Sequence, residues 1–211
     1  MPLYKTITVN TSTKVLIWNI EESFETLLDG VVLTPQCQDR VAGMKSDIHR
    51  RGFLSVRHLL QKFGYTAHDL FYDANGKPHL KDGNYISITH SFEYAAVIVS
   101  TSHDVGIDIE MKRAKIIRIA PKFTTLKDYA HLTNEEQLVE KLTKVWCAKE
   151  SLYKIYATPG LSFLQHINVF NFKEDALATS GEINYNHTQT LYDIAFLEFG
   201  GFMCAYAYPK I

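Results

Sequence analysis

The sequence predicts an α+β protein of two halves, residues 1–103 and 104–211, each a small, mainly antiparallel sheet with a long helix packed on it. Three observations carry that expectation. Runs with the two-residue alternation of strands accompany long stretches of helical apolar spacing in both halves. The order of elements roughly repeats, without a residue-level repeat. No low-complexity linker separates the halves, so they are expected to pack together with a cleft between them as the natural site. Apolar residues make up 46% of the chain, ample for buried cores.

Residues 3–20 read as two strands, with Ile7 and Val9 in the first and Val15, Leu16, Ile17 and Trp18 in the second, joined by the polar Asn10-Thr11-Ser12-Thr13 turn. A short helix over 22–28 follows. From 35 to about 63 one helix is expected: Pro35 suits a helix start, Gly64 lies just past the end, and Ile48, Phe53, Val56, Leu59 and Leu60 keep helical spacing. Gly76-Lys77-Pro78-His79 reads as a turn, Tyr85–Ser91 as an extended run and Tyr94–Ser100 as a strand. Thr101-Ser102-His103-Asp104 then turns the chain into the second half. That half begins with the strand Val105-Gly106-Ile107-Asp108-Ile109-Glu110 and passes through an irregular basic stretch over 112–127. A long helix over 133–157 comes next, its start marked by Thr133 and Glu136 in the pattern of a capping box. Strands near 167–172, 182–185, 192–199 and 202–208 complete the chain.

Composition excludes several functions. Lys and Arg number 22 against 23 Asp and Glu, a net charge of −1, so no global basic field points to nucleic acid. The three cysteines, Cys37, Cys147 and Cys204, are far apart with no C-x-x-C spacing, which fits a reducing compartment better than a disulfide framework or a zinc site. The segment from Met1 to Thr6 lacks the features of a secretory signal, and no stretch approaches the ~18 apolar residues that cross a bilayer, so a cytoplasmic protein without membrane contact is expected.

The chemistry concentrates in two short segments. Asp108 and Glu110 share one face of their strand, roughly 6.5–7 Å apart at Cα, where two carboxylates repel unless solvent or a cation intervenes. On the long helix Trp146, Glu150 and Lys154 stand at i, i+4 and i+8, with Glu150 N-terminal to Lys154 in the favourable ion-pair order. Each acid taken singly is better explained as a solvated surface group. Together, in an Ile- and Val-rich strand and beside a Trp, they are expected to be partly buried and to need compensating charge. Oxygen-only ligands point to a hard cation, Mg²⁺ first, then Mn²⁺ or Ca²⁺, of the kind used in pyrophosphate chemistry.

Lys149 and Lys154 are open to the reading of plain helix-surface lysines, although Lys154 would face the same cleft as Glu150. His90, between Thr89 and Ser91, offers a hydroxyl–imidazole–hydroxyl group for phosphate oxygens or is a satisfied structural histidine. Of the adjacent Arg50 and Arg51, pointing about 100° apart on a helix, at most one faces a given ligand. Neither G-x-x-x-x-G-K-S/T nor G-x-G-x-x-G occurs, and no G-x-S-x-G elbow is present.

Gly106-Ile107-Asp108-Ile109-Glu110, followed about forty positions later by Trp146-Cys147-Ala148-Lys149-Glu150-Ser151-Leu152-Tyr153-Lys154, resembles the paired signature of the 4′-phosphopantetheinyl transferases. Lys45-Ser46-Asp47-Ile48-His49-Arg50, Gly76-Lys77-Pro78 and Ser87-Ile88-Thr89-His90-Ser91 are similar to further family segments, so the resemblance runs from about 45 to 163. The length and the acid at position 110 are similar to the larger surfactin-synthetase-activating type, a monomer of two pseudosymmetric halves. The resemblance implies transfer of phosphopantetheine from coenzyme A to a serine of an apo acyl or peptidyl carrier protein, releasing adenosine 3′,5′-bisphosphate. The carriers would be those of fatty-acid, polyketide or nonribosomal-peptide synthesis.

By the same resemblance Asp108, Glu110 and Glu150 would hold Mg²⁺, with Mn²⁺ as substitute, and Glu150 or a metal-bound water would deprotonate the serine. Lys154 would stabilise charge on the phosphate or leaving group. Arg50, Lys77, Thr89 and His90 would contact the phosphates of coenzyme A, and Pro78 would shape the adenine pocket. Lys112, Arg113, Lys115, Arg118, Lys122 and Lys127 would offer the carrier a local positive field. Where relatives often carry several basic residues between 35 and 50, this chain has Gln36, Cys37 and Gln38 and keeps Arg40 and Lys45. A catalytically idle coenzyme A- or carrier-binding protein and a metal-dependent nucleotide phosphohydrolase are the rival readings.

Overall fold

The computed structural model describes residues 3–210, so Met1 and Pro2 of the N-terminal segment discussed above lie outside it. The chain divides into two compact units, Met1–His103 and Asp104–Ile211. Both are α+β with antiparallel sheets, the class the sequence predicts.

In the first unit β1 (Leu3–Thr8), β2 (Thr13–Asn19), β5 (Tyr85–Ser91) and β6 (Tyr94–Ser100) form a sheet of order β1-β2-β6-β5, every pair antiparallel. Helices α1 (Phe24–Asp29), α2 (Pro35–Gly43) and α3 (Asp47–Lys62) accompany it. A small hairpin of β3 (Leu70–Tyr72) and β4 (Pro78–Leu80) precedes β5, and sequence reading missed it because its strands are three residues each. Phe53, Leu54, Val56, Leu59 and Leu60 of α3 bury against Leu16, Trp18, Val97 and Val99 of the sheet, whereas Ile48, counted with them from the helical spacing, is exposed in the first turn of α3.

The single helix expected over 35 to about 63 is two. Gly43 ends α2, Met44 and Ser46 are extended, and Asp47 opens α3. The interruption carries its own signals: Gly is a poor helix interior residue, Ser is favoured at an N-cap, and Asp in a first turn suits the helix dipole. Thr34 caps α2, its hydroxyl oxygen accepting from the Cys37 backbone N–H at 3.2 Å.

In the second unit β7 (Gly106–Met111), β8 (Ile167–Val169), β9 (Ala178–Tyr185), β10 (Thr188–Phe199) and β11 (Phe202–Pro209) form an antiparallel sheet of order β7-β11-β10-β9-β8. Two-residue loops join β9 to β10 and β10 to β11. Both central residues of each, Asn186-His187 and Gly200-Gly201, have positive φ, the turn geometry whose twist matches a hairpin.

Helix α5 (Glu135–Tyr156) packs on β7 and β11. Its cap is Asn134, not Thr133: the Asn134 side chain accepts from the backbone N–H of Glu136 and of Gln137 at 2.8 and 3.4 Å. Both are capping types, and the one directly before the first helical turn takes the role. The stretch over 112–127, expected to be irregular, contains α4 (Lys115–Ile119), a 3₁₀ turn over Ala120–Lys122 and the start of another over Leu126–Tyr129. Ile116, Ala120 and Phe123 of that stretch pack on Leu142 and Val145 of α5. Its apolar residues fold it down although its charges read as a loop.

Candidate active site

Alternation along β7 turns Gly106, Asp108 and Glu110 towards α5. The helix comes so close at the first of them that a Cβ on Gly106 would stand 1.9 Å from the backbone oxygen of Ser151. Only glycine lets the two backbones meet there. Side chains of α5 then fasten the helix to carbonyls of the sheet. Ser151 Oγ lies 2.9 Å from Ala205 O, Cys147 Sγ donates to Met203 O, and Lys154 Nζ donates to Ile107 O at 2.9 Å.

Close packing brings the charged groups together. Lys154 Nζ also donates to Asp108 Oδ1 at 2.8 Å, and Asp108 is 5% exposed. The Trp146 indole N–H donates to Glu110 Oε1 at 3.3 Å. Its ring is held between Phe123 and Phe163, with centroids 4.8 and 5.2 Å away. Glu150, half-buried, completes the group from the same helix ridge. Burial, and then the charge of Asp108, push the Glu110 carboxyl above its ordinary value. The same two causes, opposed by Lys154 and reinforced by Glu110, take Glu150 from 4.5 up to about 7.

Three carboxyls against the Lys154 ammonium, with the Arg113 guanidinium acting on Glu110, still leave excess negative charge in a partly desolvated place. The donor set is all oxygen, and its chemistry fits a hard divalent cation. No three acidic, histidine or cysteine side chains among the described residues already form a metal-ligating cluster. The acids are neighbours coupled through charge, with Lys154 set against Asp108.

A pH signature follows from the raised Glu150. Its proton is held more tightly in the folded chain than in the unfolded one, so the stability this provides is full below about 4.5 and is lost as pH rises through about 7. Glu150→Gln mimics the protonated acid. Measured without divalent ions, the melting temperature of the variant minus that of the wild type is expected to grow from pH 5 to pH 8. Adding Mg²⁺ at pH 8 should stabilise the wild type and narrow the gap; a difference that is flat with pH would refute the assignment.

Lys149 is not a surface lysine. It is 6% exposed, and its Nζ donates to Phe163 O and Ile167 O at 2.6 Å each, so burial brings its pKa down to about 8. It ties the segment after α5, including the Phe163 that stacks on Trp146, back to the helix. Trp146, Phe163, Ser151 and Gly106 thus serve the site without titrating in it. The sequence held clues to two of them, Gly106 two residues before Asp108 on the same strand face and Trp146 four residues before Glu150 on the same helix ridge.

The remaining residues singled out from sequence, Arg50, Lys77, Pro78, Thr89 and His90, belong to the first unit. Arg51 spends its Nη2 on Ile20 O at 3.3 Å, whereas the guanidinium of Arg50 lies 3.6 Å over the ring of Phe24. Asp73 builds the turn carrying Lys77: its Oδ1 accepts from the backbone N–H of Asn75 and Lys77, and its Oδ2 pairs with His79 Nε2 at 3.1 Å. Pro78 begins β4. Thr89 is buried and His90 exposed, because neighbours on a strand point to opposite faces, so the expected hydroxyl–imidazole–hydroxyl group does not form on one face. His90 instead packs over Gly52 of α3, where a Cβ would stand 2.9 Å from its Nδ1.

The sequence model of the 4′-phosphopantetheinyl transferase superfamily matches residues 104–207, the stretch that contains all four charged residues of the site. The matched stretch is nearly the whole of the second unit and just under half of the chain. The 4′-phosphopantetheinyl transferase gsp of Aneurinibacillus migulanus is 32% identical over 108 residues, 49% of this chain and 45% of that protein. The 4′-phosphopantetheinyl transferase AcpT of Salmonella typhimurium is 26% identical over 146 residues, 66% of this chain and 74% of its own length. The 4′-phosphopantetheinyl transferase HetI of Nostoc sp. is 27% identical over 161 residues, 64% and 68% of the two chains. The match to gsp therefore spans less than half of that relative. No helix among the described residues is long and apolar enough to cross a membrane.

Proposed function

We propose that the protein transfers the 4′-phosphopantetheine arm of coenzyme A to a serine hydroxyl of an apo acyl or peptidyl carrier protein and releases adenosine 3′,5′-bisphosphate. The observation that carries this reading is the grouping of Asp108, Glu110, Glu150 and Lys154 where α5 crosses β7, in a unit that the transferase superfamily model matches. Mg²⁺, held by Asp108, Glu110 and Glu150, would neutralise charge on the pyrophosphate of coenzyme A.

The chain's own residues do the rest. Glu150, whose carboxyl is held up at about 7 without a cation, is assigned to take the proton from the serine Oγ as that oxygen attacks the phosphorus bearing the pantetheine. The new O–P bond forms as the P–O bond to the second phosphate breaks, and adenosine 3′,5′-bisphosphate leaves with the electron pair. Lys154, fixed by Ile107 O and Asp108, keeps an ammonium beside the reacting phosphate without reorganising at the moment of transfer. Trp146 fixes the Glu110 carboxylate by its indole N–H. Arg50, Lys77 and His90 are assigned to the coenzyme A phosphates, with Thr89 and Pro78 supporting the same segments, and the basic residues over 112–127 to an acidic carrier. Lys112 of that stretch is paired with Glu198.

Incubation of the purified protein with coenzyme A, Mg²⁺ and a panel of apo carrier proteins tests the reading. A carrier heavier by one phosphopantetheine is the expected result. Binding of coenzyme A without modification of any carrier would point to an idle homologue, and cleavage of coenzyme A without a carrier to a hydrolase; either would overturn the proposal.

A further inference from the structure

Cys37 of α2 has no part in the transfer chemistry, yet its surroundings differ from those of the other two cysteines. Cys147 and Cys204 are buried and burial pushes both thiols up, whereas Cys37 is partly exposed. It stands in the first turn of a nine-residue helix with no acidic residue in that turn, and its backbone N–H binds the Thr34 cap. From α3, Arg57 directs Nη2 at the Cys37 sulfur from 3.7 Å.

Arg57 is the unusual member of the pair. It is 4% exposed, and its guanidinium lies 3.4 Å over the Phe53 ring. Its Nη1 donates to Phe53 O at 3.1 Å, and its buried Nε has no hydrogen-bond partner among the described residues. A guanidinium stays charged at every physiological pH, and a buried charge is costly without a counter-charge. Its polar neighbours among the described residues are the Phe53 carbonyl and the Cys37 sulfur. Of these two only the sulfur can become an anion. Burial alone would raise that thiol, but the Thr34 hydroxyl and the Arg57 charge outweigh it and hold Cys37 below its ordinary value.

We propose that the Cys37–Arg57 pair is a covalent modification site at which Cys37 undergoes thiol–disulfide exchange with a small-molecule disulfide. The Cys37 thiolate attacks one sulfur, the new S–S bond forms as the old one breaks, and the second half leaves as a thiolate, so no other oxidant is required. Arg57 supplies the countercharge of the attacking sulfur, and the helix N-terminus adds to it. The inference is independent of the transferase reading, since the reaction needs neither coenzyme A nor a carrier.

The test is reaction of the native full-length chain with 5,5′-dithiobis(2-nitrobenzoate) between pH 5.5 and 9, with the labelled peptide identified by mass. One fast equivalent per chain is expected, all of it on Cys37, with a midpoint below the about 8.5 of a free cysteine. Cys37→Ser should remove the fast phase. Arg57→Met should slow it about tenfold at pH 6.5 and move the midpoint up; should that variant not fold, the wild-type profile and the Thr34→Ala variant, whose midpoint should also rise, decide. A wild-type midpoint at or above 8.5, or labelling no faster than in the urea-unfolded chain, would overturn the proposal.

Discussion

Glu150→Gln is expected to lower the rate of carrier modification about 10²- to 10³-fold at pH 7.5 while leaving the fold intact, the scale of losing one preorganised charged group in an active site. The substitution keeps shape and hydrogen-bonding capacity but removes the carboxylate that is to take the serine proton and contribute one of three charges to the cation. Its stability should not suffer. Burial and the nearby Asp108 already disfavour the Glu150 anion, so a neutral amide relieves repulsion. The variant therefore separates activity from folding: circular dichroism and melting should match or exceed the wild type without metal, while single-turnover transfer collapses. Activity within tenfold of the wild type would remove Glu150 from the mechanism.

Gly106→Ala should do the reverse, breaking the site through the fold. A methyl group there would stand 1.9 Å from Ser151 O, 2.7 Å from Ser151 C and 3.0 Å from Ile155 Cγ1. Two of those atoms are helix backbone and cannot rotate aside. Helix α5 must move off β7, stretching the contacts of Ser151 with Ala205 and of Lys154 with Ile107 and Asp108. Overpacking of this kind costs typically 1–3 kcal/mol, and a backbone clash belongs at the upper end, so a loss of about 3 kcal/mol or more is expected in denaturant unfolding. Transfer activity should fall even at low temperature, where the variant remains folded. Gly43→Ala is the control: nothing lies within 4 Å of its added Cβ at the end of α2, so it should change stability by less than about 1 kcal/mol. Equal behaviour of the two variants would show that α5 and β7 tolerate separation.

The strands were legible wherever one face alternates or a short apolar run is flanked by turns, which is why β2, β5, β6, β7, β10 and β11 lie close to where the pattern puts them. The hairpin of β3 and β4 escaped because three-residue strands give alternation too little length to register. One long helix was expected where α2 and α3 stand because apolar spacing on both sides of Gly43 dominates, although Gly43, Ser46 and Asp47 spell out the break. Asp108, Glu110, Glu150 and Lys154 could be chosen from chemistry and spacing alone. Lys149 could not be resolved that way, since a lysine on a helix is exposed until something packs over it, and here residues 163–167 supply the carbonyls that receive it.

By itself the sequence determined the α+β class, the strand that carries two acids on one face, the helix that carries an acid and a base one turn apart, and the family those segments resemble. These are local matters, set by side-chain period and by residue type. Tertiary structure alone decided that Lys154 engages Asp108, that Trp146 holds Glu110, and that Arg57 is buried against Cys37. Each of those depends on how closely two elements distant in sequence approach. That distance is fixed by packing, down to a single missing Cβ at Gly106, and no period in the chain records it.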